Sequence, residues 1–289
     1  MVSIQIAPCE GPERDTAIAL LDGEFIHSRS RSVSLRERFA PVWASADSLL
    51  LAARSAHAIE SLLLVRPFRW IAGGQTCRAA MVGLVWTRPE SRGRGYGGAL
   101  LRAAGERLAQ QGYAFGALWS ARPEFYARAG WIAADCGVLG CIRATASQPG
   151  PDQPIPLEAW SDIEALRSAE GSPRVERAPA SYRMLLPPSD RIETICLSRS
   201  YAIVGRHGTR AYLLDCGGPA DDSGLRNALR SRYAELWLNL RRDCPAHRAL
   251  ASEPSISWEA QRLACWLPLA RGFDSSIFRN WYIPFFDRI

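Results

Sequence analysis

The sequence predicts an α/β protein, in the α+β sense, built of mixed twisted sheets flanked by helices and organised as two similar halves. Three observations predict it. In the first half, apolar runs of strand length alternate with segments of helical spacing in the order β-α-α-β-β-β-α-β-α-β-β. In the second half, the order strand, strand, strand, helix, strand recurs. Between them lies the stretch TASQPGPDQPIP, whose four prolines can continue neither a helix nor a central strand. The expected organisation is a domain over 1–144, a Pro-rich linker over 145–156 and a second domain over 157–289. A chain of 289 residues accommodates two domains at roughly 100–200 residues each.

The elements follow in order. Val2, Ile4 and Ile6 alternate with polar residues as in a strand, and 12–26 has helical spacing at Ile18, Leu21 and Phe25. Ser34 with Glu37 makes a capping box that opens a second helix. Strands are expected at 48–54, 58–70 and 76–87, the last through Met81, Val82, Leu84 and Val85. A helix over 95–111 carries Leu100, Leu101, Ala104 and Leu108 on one face and ends at Gly112. A strand at 114–119 and a short helix at 123–129, bracketed by Pro123 and Gly130, come next. Strands at 131–134 and 137–143 complete the half. Beyond the linker, Ser161 with Glu164 forms another capping box, strands fit 192–197, 201–205 and 211–216, a helix fits 223–233 and a strand fits 235–240.

Composition excludes several classes of function. Hydrophobic residues are 47% and charged residues 22%, enough apolar material for a core without the charge excess of a disordered chain. The longest apolar runs fall far short of the ~18–20 residues that span a bilayer, so no membrane partner is expected. The first ten residues carry no basic segment ahead of an apolar one, which argues against a secretory signal and for a cytoplasmic protein. The eight cysteines contain no C-x-x-C pair and read as reduced, mostly core residues, with no metal site. The net charge of +6 rests on arginines alone, because the chain has no lysine. These arginines are dispersed and not interleaved with aromatic residues, which argues against nucleic-acid binding. The sequence is compatible with a homo-oligomer.

The chemistry is concentrated where the third strand runs into VWTRPESRGRGYGGALL. Arg92, Gly95 and Gly97 match [Q/R]-x-x-G-x-[G/A] between a strand and a helix. Glycines there let successive backbone N–H groups face an anion, and the following helix adds its positive end. Arg88, Arg92 and Arg94 surround the same place. A pyrophosphate cradle and an ordinary glycine-rich turn with solvated arginines are both compatible with the isolated motif. The corresponding turn of the second half, GGPADDS at 217–223, is acidic and would repel a phosphate.

This segment, followed by ALWSARPEFYARAGW, resembles motifs A and B of the GNAT acetyltransferases. The resemblance covers about 79–134 through these motifs and the rest of the first half by element order. Within the superfamily the chain is similar to Eis-type multi-domain enzymes, in which an active GNAT domain precedes a second, degenerate GNAT-like domain lacking the cofactor turn. It departs from them in length, because no residues remain for their third, sterol-carrier-like domain, so their acceptor specificity does not transfer. The resemblance implies an acetyl-CoA-dependent N-acetyltransferase, with acetyl-CoA and an amine as partners and no metal. It implies main-chain bonds from Val85, Trp86 and Thr87 to the pantetheine arm, and a pyrophosphate cradle from Arg92, Gly93, Arg94, Gly95, Tyr96, Gly97 and Gly98. Ser120 and Ala121 would lie alongside the arm, and Tyr126 occupies the position of the general acid. A phenol of pKa about 10 can protonate a departing thiolate of pKa about 8.5.

Other residues are left with alternatives. Glu24, His27 and Glu60 are candidate bases or else solvated and capping residues, and the Eis-type resemblance offers the terminal carboxylate of Ile289 instead. Trp43, Trp70, Trp86, Trp119 and Trp131 are core residues by default, although Trp86 and Trp119 fall where they could floor an acceptor pocket or hold a cation. In SRSRSVSLRERF, Arg29, Arg31, Arg36 and Arg38 form either a solvated basic loop or a lure for an acidic acceptor. The second half would cover the acceptor cleft or mediate assembly. Against the enzyme stand two other readings: a non-catalytic CoA- or acyl-CoA-binding regulatory protein, and a scaffold.

Overall fold

The computed structural model describes residues 4–29, 33–56, 58–143, 159–171, 173–177, 191–207, 210–219, 223–251, 253 and 255–288. The expected linker at 145–156, Arg31 and Ile289 lie outside them. The first half runs β1 (Gln5–Pro8), α1 (Gly11–Phe25), α2 (Leu35–Arg38), α3 (Ala40–Ala44), β2 (Leu49–Arg54), β3 (Ile59–Ala72), β4 (Gln75–Thr87), α4 (Tyr96–Gln110), β5 (Phe115–Trp119), α5 (Pro123–Ala127), β6 (Ile132–Ala133) and β7 (Gly137–Arg143). The second runs α6 (Ala159–Ala169), β8 (Arg174–Val175), β9 (Arg191–Cys196), β10 (Tyr201–His207), β11 (Arg210–Gly217), α7 (Ser223–Arg232), β12 (Glu235–Arg241), α8 (Pro245–Ala251), β13 (Glu259–Ala260) and β14 (Ala264–Pro268).

Local rules explain most starts and stops. The Ser34 box is formed, with Ser34 N donating to the Glu37 carboxylate at 3.1 Å. α4 buries Leu100, Leu101, Ala104 and Leu108 against the sheet, and Gly112, at φ 75°, turns the chain out of it. The expected Ser161 box is corrected: Ser161 lies inside α6, whose first turn is instead anchored by buried Trp160 packing with Tyr201 and Phe286.

Among the described residues there are two sheets. One has eight strands in the order β1-β2-β3-β4-β5-β14-β6, with β8 beside β3, and the other has six in the order β13-β7-β12-β11-β10-β9. In each, three antiparallel strands lead to a parallel pair joined through a helix, β4-α4-β5 and β11-α7-β12. The strand outside each parallel pair comes from the other half. β14 pairs antiparallel with β5, and β7 pairs antiparallel with β12.

The strands expected at 131–134 and 137–143 both form, but in different sheets: β6 joins the first sheet through β14, and β7 joins the second. The physical reason sits at the crossing. Asp135 accepts from Gly137 N at 2.8 Å with one oxygen and from Leu263 N and Ala264 N at 2.9 Å with the other, tying the outgoing and returning strands together. A Cβ on Gly137 would come within 2.4 Å of Gln261 Oε1 and 2.8 Å of the Asp135 carboxylate, so a side chain there would have to displace the groups that tie the crossing.

Two buried assemblies lock the exchange. Phe68, Trp70 and Phe115 of the first sheet pack with Trp266, Phe278 and Trp281 from the end of the chain. Trp266 and Phe278 are stacked at 5.2 Å, and Phe115 and Trp281 lie 4.9 Å apart. Phe278→Ala empties a fully buried site and is expected to cost about 3–5 kcal/mol, read as a lower urea midpoint with an unchanged slope. The second assembly is ionic. Arg177 binds Asp287 with two bonds, at 2.8 and 2.6 Å, and reaches Asp215 at 2.7 Å, while Arg66 donates to the Asp287 carbonyl. Burial works to raise the Asp287 pKa, but the charge and hydrogen bonds of Arg177, with Arg167 and Arg66 behind it, outweigh burial and hold it below the usual range. The last residues of the chain are thereby pinned between the two halves.

Candidate active site

The parallel pair β4/β5 holds together for three residues, Ala79–Met81 against Phe115–Ala117, and then splays. Beyond that point the facing strand edges have no ladder partner in each other. A bulge drives the separation: the β3/β4 register slips between Leu62 and Leu64, and Leu84 takes φ 50°, a left-handed conformation that costs leucine about 1–2 kcal/mol.

The chain leaving β4 makes a turn that needs its glycines. Gly93 and Gly95 sit at φ 80° and 87°, and Gly95 is the cap residue of α4. A Cβ on Gly97 would lie 3.0 Å from Thr87 Oγ1 and 3.2 Å from Phe125, so a side chain there would press the helix start against the strand end. The first N–H groups of a helix have no intrahelical acceptor and project from its positive end. Glu60 braces the turn from beneath, accepting from Ser55 Oγ at 2.6 Å and Ser91 Oγ at 2.5 Å. Those two hydrogen bonds hold its carboxyl below the ordinary range. Arg88 donates to the Ile59 carbonyl at 3.2 Å, and Arg92 donates to the Thr87 carbonyl at 3.2 Å while standing 3.6 Å from Glu24.

One cavity of about 1480 Å³ collects the site. It is lined by Val85, Trp86 and Thr87, by Arg92, Gly93, Gly95, Tyr96, Gly97 and Gly98, and by Ser120, Ala121 and Tyr126. Arg94 is the exception, being exposed and off the lining. Tyr96 buries its ring in the core beside α4, so its backbone is what it can offer the cavity. Tyr126, 9% exposed, meets Phe125 edge-on at 5.0 Å and Trp131 at 6.4 Å. Burial raises its phenol, a hydrogen bond with Ser120 works the other way, and the net shift is upward, so the hydroxyl carries its proton throughout the neutral range.

Of the candidate bases, Glu24 lines the cavity, whereas exposed His27 and the bracing Glu60 do not. Of the five tryptophans, Trp86 and Trp119 line it. The cations found over their rings belong to the chain itself, Arg88 at 6.0 Å and Arg288 at 4.5 Å. Arg29 and Arg38 of the basic loop line it, while Arg36 is paired with Asp15. Sequence reasoning missed Glu124 and Arg128, although both stand within the quoted motif, and the far wall, where Tyr212, Trp237, Phe285 and Arg288 close the cleft. No local signal marks those four, because strand exchange is what brings them in.

The second half has the same splay, with β11 and β12 paired at two positions before they part. Its turn is occupied from within: Gly218 N donates to Glu170 Oε1 at 2.8 Å, and a Cβ on Gly217 would lie 2.8 Å from that oxygen. A carboxylate of the chain thus holds the start of that turn.

Residues 5–134 match the family model described as an acetyltransferase (GNAT) domain. The first half of the chain thus carries a GNAT acetyltransferase domain by this match, and the second half repeats its sheet topology. No curated protein sequence matches it significantly. Among solved structures it is similar to a GCN5-related N-acetyltransferase from Anabaena variabilis, at 15% identity and TM-score 0.71 over 93% of this chain and 73% of that one. It is similar to Eis1 from Mycobacterium abscessus, at 13% and 0.65 over 92% and 74%, and to a tandem GNAT protein from the clavulanic acid biosynthesis pathway, at 12% and 0.59 over 94% and 100%. At these identities the likeness is one of fold. None of the described helices is long and apolar enough to cross a membrane.

Proposed function

We propose that the chain transfers the acetyl group of acetyl-CoA to an amine by direct attack on the thioester, in the cleft of the first half. The observation that carries this reading is the convergence of the glycine turn, the opened strand edges and Tyr126 on one cavity. The backbone N–H groups from Gly93 to Gly98, with Arg92, receive the pyrophosphate. Val85, Trp86 and Thr87 bond the pantetheine arm as a strand would, and Ser120 and Ala121 flank it from β5. The amine lone pair attacks the thioester carbon, the C–S bond breaks, and Tyr126 gives its proton to the sulfur. Of the carboxylates lining the cleft, Glu24 is held by Arg92, which leaves Glu124 at the rim to take the ammonium proton through water. All eight cysteines are free thiols, in keeping with a reducing cytoplasm as the compartment. The test is release of CoA thiol from acetyl-CoA across a panel of primary amines. Amine-dependent release with an acetylated product supports the reading, and tight acetyl-CoA binding with no acceptor in the panel would favour a CoA-sensing regulatory protein.

A further inference from the structure

The cleft is larger than the 300–1,000 Å³ typical of a small-molecule pocket, so there is room for a second ligand beside the donor. Its far wall says what that ligand is. Arg288 lies over Trp119 at 4.5 Å and beside Tyr282 and Phe285 at 5.3 and 5.8 Å. Its Nε donates to the Ile283 carbonyl at 2.9 Å, and its Nη2 to Asn239 Oδ1 at 3.0 Å and Gln261 Oε1 at 3.5 Å. No carboxylate among the described residues comes within ion-pair distance of it, and Nη1 has no acceptor among them. By contrast, Arg177 has two aspartates and Arg167 has Glu164, while buried Arg66 is held by the Asp287 carbonyl. Arg288 is likewise a cation held by neutral oxygens, partly buried, and of these four arginines it is the one that lines the cleft. Burial works against its charge.

Position relates this cation to the chemistry. Trp119 is the last residue of β5 and immediately precedes Ser120, which hydrogen-bonds Tyr126, so Arg288 stands at the end of β5 where the thioester would lie. With Nε and Nη2 already donating, Nη1 is the nitrogen left to give a carboxylate charge-assisted bonds. Trp237 and Phe285, 39% and 48% exposed, add flat apolar surface on the same wall. The charge balance points the same way, since the cleft is lined by seven arginines against two glutamates. The turn-side arginines face the donor phosphates, but Arg288, Arg29 and Arg38 do not belong to that turn. A polycationic amine would find repulsion here.

We infer that the acceptor is an amine bearing a carboxylate and a flat apolar body, such as an aromatic amino acid, with its carboxylate on Arg288 and its ring against the aromatic wall. This rests on the acetyl-transfer reading for the role of the bound molecule, and the binding test is independent of turnover. The probes are indole-3-acetate and indole-3-acetamide, titrated calorimetrically into the CoA-loaded protein. The expected result is that the acid binds about tenfold more tightly than the amide, a charge-assisted against a neutral hydrogen bond. Arg288→Met should erase that preference without changing CoA affinity, and Arg288→Lys should restore part of it. Equal affinities in the unmodified protein, or a preference that survives Arg288→Met, would overturn the inference. If Arg288→Met does not fold, the acid-against-amide comparison in the unmodified protein decides. If CoA itself does not bind, the acetyl-transfer reading fails, and the same comparison on the protein alone still decides the anion site.

Discussion

Tyr126→Phe is expected to lower acetyl transfer by roughly 10²–10⁴-fold while changing acetyl-CoA affinity by less than about twofold. The substitution removes one oxygen and keeps the ring that packs against Phe125 and Trp131, so apart from the hydrogen bond with Ser120 the fold and the donor site keep their contacts. What it removes is the proton for the departing thiolate. Because burial raises the phenol, the group is an acid that stays charged with its proton. The unmodified enzyme should therefore hold its rate on the alkaline side until pH passes the ordinary phenol value of about 10, and the Phe variant should lack that limb. Steady-state kinetics against pH, with calorimetry for the donor, separate the two effects. A Phe variant that turns over at the original rate would take Tyr126 out of the mechanism.

Gly95→Asp, combined with Arg92→Ala, should abolish measurable acetyl-CoA binding. Gly95 is at φ 87°, where aspartate is tolerated better than most residues, and a Cβ there meets nothing within 4 Å. An acid at a helix start also favours the helix dipole. The fold should thus survive with a thermal midpoint close to that of the parent. The new carboxylate, however, sits where the pyrophosphate must go. Two like charges at ~4 Å and an effective dielectric near 20 repel by about 4 kcal/mol, on the order of a thousandfold in affinity. Loss of the Arg92 contact adds to this. Binding that persists within tenfold of the parent would place the phosphates elsewhere.

Much of this was readable from the chain before any coordinates. The strands and helices of the first half announced themselves through period, caps and punctuation, with Ser34 and Glu37 at one helix start and Gly112 past the end of another. That the glycine turn and Tyr126 line one cavity was legible because both lie in local runs whose residues the fold keeps adjacent. Strand exchange was hidden for the opposite reason. β7 and β14 are short apolar runs that would satisfy either sheet, and the choice is made by Asp135, whose two oxygens bind backbone from both crossing segments. Residue 135 and residues 263–264 carry no mark in the sequence that they will meet. Arg288 was invisible for the same reason. It reaches Trp119 because a buried ion pair between Arg177 and Asp287, remote from each other along the chain, fixes the residue beside it. The sequence leaves Glu60 open between a candidate base and a solvated or capping residue, and two serine hydroxyls make it a brace.

The most direct measurement is a calorimetric titration of the unmodified protein with acetyl-CoA. The glycine turn of the first half is open to an anion, and the matching turn of the second is filled by Glu170. The account predicts saturable binding at one site per chain, abolished in the Arg92→Ala, Gly95→Asp variant. No binding by the unmodified protein, or two equivalent sites per chain, would contradict it.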